Sequence, residues 1–182
     1  MEDHFFKETH PTADMLFGTV NESVCLQLYK ERYGDVLFWK SCGLIVNKNY
    51  PWLGYSPDAL IIVNGKVRLL EAKCPKKGKI LSGLELLQQL PYVCVSKDNV
   101  VTLRQKHMYY GQIQLGMALL NLEEATFLIF VPSVNDVIAI NVPLDRDFVY
   151  RFTSVLFDVY FDRFLPFLSR NAARLRIRNL IF

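Results

Sequence analysis

The chain has no run approaching the roughly 18 consecutive apolar residues of a membrane-spanning helix, although 51% of its 182 residues are hydrophobic. A helical membrane protein is excluded, and the apolar residues are left for a buried core. Its four cysteines, Cys25, Cys42, Cys74 and Cys94, are widely spaced and form no C-x-x-C. They read as reduced thiols of an intracellular protein, not as a zinc site or a disulfide frame. The opening stretch MEDHFFKETHPTADM is mixed polar and acidic, without the apolar segment of a secretory signal. Neither sign of charge dominates: 21 Lys and Arg face 18 Asp and Glu, a net charge of +3. That permits a nucleic-acid partner without demanding one. Internal repeats, low-complexity segments and linkers are absent. The expectation is a single domain over residues 1–182 with a real core, an irregular arm over 1–17 and a basic tail over 169–182.

The most informative stretch is Gly54 to Pro75, GYSPDALIIVNGKVRLLEAKCP. Asn64-Gly65 is a strong hairpin signal, because both residues tolerate the positive φ of a type I′ turn. With a two-residue loop, Val63 pairs with Lys66, and counting outward sets Asp58 opposite Glu71. Strand alternation then puts Lys73 on the face of Glu71. Opposed like charges destabilise a sheet. Two neighbouring carboxylates therefore need a positive partner to stay ionised, and a divalent metal such as Mg²⁺ is suited to that role. Lys73 adds a cation that can orient water or steady developing negative charge. The bland alternative is a surface hairpin with a Glu-Lys pair and a turn aspartate.

Around this hairpin the pattern predicts a helix from about Val20 to Tyr33, capped by Thr19 or Asn21, ended by Gly34 and buried through Val20, Val24 and Leu28. Glu22 falls in its first turn, where an acid is ordinary. Val36–Lys40 and Gly43–Val46 read as strands, and Asn47–Pro51 as a turn. After Pro75, Lys76, Lys77 and Lys79 form a basic loop that either grips a phosphate backbone or faces solvent. Ile80–Leu90 has helical leucine spacing, and Val93–Leu103 is strand or loop. Arg104–Asn121 reads as a helix with Met108, Leu115 and Leu119 on one face. Gln112 lies on that stripe, as a satisfied core amide or an active-site amide. His107, Tyr110 and Gln114 lie on another face, with His107 structural or solvent-facing. Ala125–Val131 and Val137–Val142 form a second strand pair. Asp145–Leu168 is a helix whose phenylalanines, Phe148, Phe152, Phe157, Phe161 and Phe164, read as core. Arg170, Arg174, Arg176 and Arg178 make a basic tail, solvated or backbone-binding.

Five ordered motifs carry a resemblance: Gly18-x-x-Asn21-Glu22, Gly43-Leu44, Gly54-Tyr55-Ser56-Pro57-Asp58-Ala59-Leu60, Leu70-Glu71-Ala72-Lys73-Cys74-Pro75, and Tyr109-Tyr110-Gly111-Gln112-Ile113-Gln114. Together they resemble the YqaJ-type viral recombinase family, the lambda exonuclease branch of the PD-(D/E)xK nucleases. Ala59 departs from the family, which often has glycine there. The resemblance implies an α/β fold with a restriction-endonuclease-like core, a central mixed β-sheet flanked by α-helices. It implies Mg²⁺- or Mn²⁺-dependent digestion of DNA, in the lambda type from the 5′ ends of a duplex. One or two ions would be held by Asp58, Glu71, Glu22 and the backbone carbonyl of Ala72. Lys73 would position the attacking water, Gln112 would be the active-site amide, and Tyr109 would join Lys76, Lys77 and Lys79 on the nucleic acid. Lambda-type enzymes resemble rings around DNA, so a homo-oligomer and a single-strand-annealing partner protein enter as possible partners. A structure-specific endonuclease or RNase on the same core, and an inactive nucleic-acid-binding module, are the rival readings.

Overall fold

The computed structural model describes residues 10–33, the backbone of 37–40, and residues 43–171. The chain runs α1 (Ala13–Arg32), β1 (Leu37–Lys40), β2 (Ile45–Asn47), β3 (Tyr50–Tyr55), β4 (Ala59–Val63) and β5 (Lys66–Lys73). A 3₁₀ turn (Lys76–Lys79) leads to α2 (Gly83–Gln89), β6 (Val93–Val95), β7 (Val101–Leu103) and α3 (Met108–Leu120). Then come β8 (Glu124–Val131), β9 (Asp136–Pro143), α4 (Arg146–Val159), one π turn and α5 (Leu165–Asn171). Residues 11–149 form one compact unit, and the described residues from 150 onward belong to a second.

The first unit is built on a five-stranded sheet in the order β1-β4-β5-β8-β9. Only β5 and β8 pair in parallel, so the sheet is mixed as expected. The β4–β5 register is the one counted from Asn64-Gly65: Val63 faces Lys66 and Ala59 faces Leu70. Asn64 and Gly65 both take positive φ, 51° and 75°. Alternation along β5 sends Leu69 to one face and Leu70 and Ala72 to the other. On the first face they meet a large core that includes Ile113 and Met117 of α3 with Leu86 and Leu87 of α2. On the second, Cys25 and Tyr29 of α1 cover the sheet.

Several boundaries differ from expectation, each for a local reason. Helix α1 starts at Ala13, within the supposed arm, because Thr12 caps it: its side chain accepts from the Met15 amide at 3.2 Å. Thr19 and Asn21 do not cap. Their side chains donate back to the carbonyls of Met15 and Phe17, at 3.1 and 2.8 Å, the other common use of such residues within a helix. Val20 and Val24 are exposed, since the helix rests on the sheet through Cys25 and Tyr29, one turn apart. Gly34 and Val36 lie outside the described residues. Pro51 is in β3 rather than in a turn, tolerated because β2 and β3 form a separate two-stranded sheet with open edges. Residues 93–103 are a small hairpin.

Helix α3 begins at Met108, capped by the His107 side chain, which accepts from the Tyr109 amide at 3.2 Å. Its buried face holds Tyr110, Ile113, Gln114 and Met117, while Met108 is exposed. Gln114, not Gln112, is the core amide: it donates to the Pro143 carbonyl and accepts from the Asp145 amide, at 2.9 and 2.8 Å. Of the phenylalanines expected in the core, Phe148 packs against it and Phe152 and Phe164 are half-buried, whereas Phe157 and Phe161 are exposed. Arg170 is exposed as well, and Arg174, Arg176 and Arg178 lie outside the described residues.

Candidate active site

The β4–β5 ladder closes at Ala59 and Leu70, and Ser56-Pro57 bends the chain just before it. Asp58 therefore sits beyond the last strand pair. Its Oδ2 accepts from the Ala72 amide at 2.7 Å, which fixes the carboxylate at the end of the hairpin beside Glu71. Glu71 is 1% exposed. Its Oε1 accepts from Lys73 Nζ at 2.7 Å and from Gln112 Nε2 at 2.6 Å. Its Oε2 accepts from the Tyr55 hydroxyl at 2.6 Å. Strand β5 supplies Glu71 and Lys73 two residues apart, and α3 lays Gln112 over them.

Asp58, Glu71, Lys73 and Gln112 are thus gathered in one place. Glu22 is half-buried on α1 and adds its charge to the repulsion felt by Asp58. Tyr109 lies under the ammonium of Lys73, 4.8 Å from Nζ to the ring centre. The lysines of the following turn are less free than a solvated loop would leave them. Lys76 pairs with Asp14 at 3.1 Å, Lys77 donates to the Gln89 carbonyl at 3.2 Å, and Lys79 lies 4.6 Å over the Phe17 ring. A cleft of about 370 Å³ is lined by Lys73 and Tyr109 together with Lys76, Lys77 and Asp14. His107 has the structural part anticipated for it, capping α3 and packing against the rings of Tyr92 and Tyr109.

The electrostatics are unbalanced. Burial, and then the charge of Glu71, push Asp58 up to about 7, against the pull of the Ala72 amide and Lys73. Burial alone would lower the Lys73 pKa, but Glu71 beside it and Asp58 nearby reverse that and hold it above the ordinary lysine value. In the metal-free site this favours the charged form of Lys73. Burial, then the Glu71 charge, raise Tyr55 far above the usual phenol range, so its hydroxyl stays a donor. Beneath the site, the buried Cys25 thiol is raised by its hydrogen bond with Cys74 and by burial.

This donor set fits a hard divalent cation. Among the described residues no three His, Cys, Asp or Glu side chains converge into an all-protein metal cage. Mg²⁺ does not need one, since it takes one or two carboxylates and completes its shell with waters and phosphate oxygens. Asp58 and Glu71, which have Lys73 as their one nearby cation among the described residues, have the matching chemistry.

The residue that sequence reasoning missed is Tyr55. It lay within a quoted motif, but nothing in strand alternation points it at Glu71, because Ser56-Pro57 breaks the strand between them. The available signal was on α3. Gly116 follows Gln112 by one turn, and a helical glycine costs about 1 kcal/mol relative to alanine, so a close neighbour was to be sought there. That neighbour is the Tyr55 ring: a Cβ on Gly116 would lie 2.6 Å from its Cζ.

The family model of the YqaJ-like viral recombinase domain matches residues 2–123, well over half of the chain. The chain belongs to that family. Among solved structures it resembles an alkaline exonuclease, LHK-Exo, from Laribacter hongkongensis, with 21% identity, 92% of this chain and 78% of that one covered, and a TM-score of 0.63. The complex of LHK-Exo with dAMP aligns with 22% identity over 93% of this chain and 78% of that one, at a TM-score of 0.64. A phage related exonuclease from Haemophilus somnus 129PT aligns with 13% identity over 84% of this chain and 72% of that one, at 0.56. At these identities the neighbours establish a shared fold. No curated protein matches the sequence.

Proposed function

We propose that this chain is a Mg²⁺-dependent deoxyribonuclease that digests linear duplex DNA from its ends, 5′ to 3′, in recombination or DNA processing. The observation that carries the reading is the cluster at the end of the β4–β5 hairpin, where Glu71 receives Lys73 and Gln112 while Asp58 stands beside it without a full counter-charge. Family membership and the exonucleases among the structural neighbours support the choice of DNA ends as substrate.

In this reading Asp58 and Glu71, with Glu22 and the Ala72 carbonyl, hold one or two Mg²⁺ ions, for which Mn²⁺ can substitute. The ion supplies Lewis-acid stabilisation of charge developing at the phosphoryl group. Gln112 and Tyr55 fix the Glu71 carboxylate, so its orientation costs nothing at the moment of reaction. Lys73 stays protonated and orients the attacking water from a fixed ammonium, itself held between Glu71 and the Tyr109 ring. The cleft leading to Lys76 and Lys77 accepts the phosphate backbone. Such contacts carry no base information, so cleavage shows no sequence preference. A homo-oligomer enclosing the duplex and a single-strand-annealing partner extend the proposal. Light scattering tests the first, and a monomeric mass with full activity rejects it.

The deciding experiment incubates duplex DNA labelled at the 5′ or the 3′ end, beside covalently closed circles, with Mg²⁺ or with a chelator. The expected result is Mg²⁺-dependent early release of the 5′ label, with circles spared. Cutting of circles as fast as linear DNA would reject the exonuclease reading in favour of an endonuclease.

A further inference from the structure

Glu71 accepts three hydrogen bonds, and their distribution is uneven. A carboxylate oxygen has two lone-pair positions. Those of Oε1 are both taken, by Lys73 Nζ and Gln112 Nε2. Oε2 has one taken, by the Tyr55 hydroxyl. Tyr55 cannot drift from this position. It is 5% exposed, and its ring lies against the bare backbone of Gly116, where an added Cβ would stand 2.6 to 3.0 Å from Cζ, Cε1 and Cδ1. Gln112 and Gly116 are one turn apart on α3, so one helix both delivers a donor to Oε1 and gives room to the ring that supplies the donor to Oε2.

We propose that Tyr55 is a positioning residue that leaves Glu71 a single lone pair, on Oε2, for a divalent cation, and so biases the site toward Mg²⁺ over Ca²⁺. The inference rests on the metal reading given above and names what controls it. Mg²⁺ demands near-octahedral geometry and suits a carboxylate that offers one oxygen in one direction. Ca²⁺ takes six to eight oxygens in flexible geometry and accepts bidentate carboxylates. Removing the Tyr55 hydroxyl frees Oε2 to turn and to present a second lone pair. That harms the stricter ion more than the permissive one.

The test is calorimetric titration of the unaltered protein and of Tyr55→Phe with MgCl₂ alone and with CaCl₂ alone, without DNA. Tyr55→Phe keeps the ring that fills the space beside Gly116. The expected result is a loss of about tenfold or more in Mg²⁺ affinity, the usual scale for removing a group that orients a metal ligand, with a smaller loss for Ca²⁺. An equal fall for both ions marks a merely structural role and overturns the inference, as does unchanged Mg²⁺ affinity. Gly116→Ala gives an independent arm: it keeps the hydroxyl but displaces the ring, and should lower the Mg²⁺ to Ca²⁺ affinity ratio in the same direction. Failure of the unaltered protein to bind Mg²⁺ would overturn the metal reading and this inference together. Binding by the unaltered protein with no change in selectivity in either variant would overturn this inference alone.

Discussion

Strand β5 carries two ionic clusters three residues apart, and alternation sends them to opposite faces of the sheet. At Arg68 the charges balance. Its Nη2 lies 2.5 Å from Glu124 Oε2 on β8, and its Nη1 donates to Asn141 Oδ1 on β9 at 3.3 Å. One guanidinium meets one carboxylate, and the pair fastens three strands. At Glu71 they do not balance. Glu71 and Asp58 face the single ammonium of Lys73, and Glu22 adds further repulsion. A cluster that serves the fold can close its own electrostatics. The Glu71 cluster leaves its own open, as the proposed cation site requires, and burial together with the Glu71 charge raises Asp58.

If the comparison is sound, the largest effects come from the open cluster. Asp58→Ala and Glu71→Gln should lower Mg²⁺-dependent cleavage by at least about 10³-fold, measured as nucleotide release from linear duplex. Asp58→Ala should fold, since the relief of repulsion offsets the acceptor lost to the Ala72 amide. Gln is preferred to Ala at position 71 because Ala would strand the donors of Tyr55, Lys73 and Gln112. Turnover like that of the unaltered chain in either variant would remove the site from this hairpin.

Next comes Lys73. Lys73→Ala should lose about 10²- to 10³-fold in kcat, the scale of a single lost electrostatic stabiliser, while DNA affinity by anisotropy changes little. Lys73→Arg should also fail, because a planar guanidinium does not replace a compact ammonium. Full activity in Lys73→Arg would reduce Lys73 to a generic cation.

The imbalance also predicts a pH dependence of stability. Asp58 is raised in the fold to about 7, from an ordinary carboxylate value of about 3.9. Protonation thus favours the metal-free folded state. Its contribution is full below about pH 4 and is lost as pH rises through about 7. The loss is on the order of 2 kcal/mol after allowance for solvent screening. Comparing metal-free Tm at pH 5.5 and pH 8 in the unaltered chain and in Asp58→Asn isolates this group: the Asn variant should lose less stability toward pH 8. Identical pH profiles would contradict the assignment.

The balanced cluster should behave in the opposite way. Glu124→Gln should cost about 1–2 kcal/mol by denaturant unfolding, as for a half-buried pair broken on one side, and leave cleavage unchanged. A large loss of activity without loss of stability would erase the distinction between the two faces. The smallest effect is at the lysine turn. Replacing Lys76, Lys77 and Lys79 with Ala should weaken DNA binding evenly across sequences and flatten its log-log salt dependence by about 0.9 per lost phosphate contact. An unchanged slope would leave those lysines to Asp14, Gln89 and Phe17 alone.

Much of this was legible in the chain. A two-residue turn at Asn64-Gly65 and a period of two were enough to set the β4–β5 register and to bring Asp58, Glu71 and Lys73 together, because hairpin pairing is decided by local backbone chemistry. The mixed α/β architecture was implied by the family resemblance, and the succession of strand and helix patterns agreed with it. The buried faces of α1 and α3 were read only in part: Leu28 and Leu119 pack against the cores as expected. Apolar spacing says that a helix has a stripe but not which stripe meets the sheet, and Val20, Val24 and Met108 ended in solvent while Cys25, Tyr29, Ile113 and Met117 were buried. Helix starts were misplaced where Thr19 and Asn21 bonded backward instead of capping.

What local pattern determined, then, was the hairpin and the carboxylates at its end, since those depend on residues within about fifteen positions of one another. What only the tertiary structure decided was how Glu71 is held. Its partners Tyr55 and Gln112 come from β3 and α3, 16 and 41 residues away, and they meet because Gly116 lets the Tyr55 ring pack against the helix. A hydrogen bond across such distances leaves no periodic trace in the chain, for it depends on how packed elements cross and not on the spacing within any one of them.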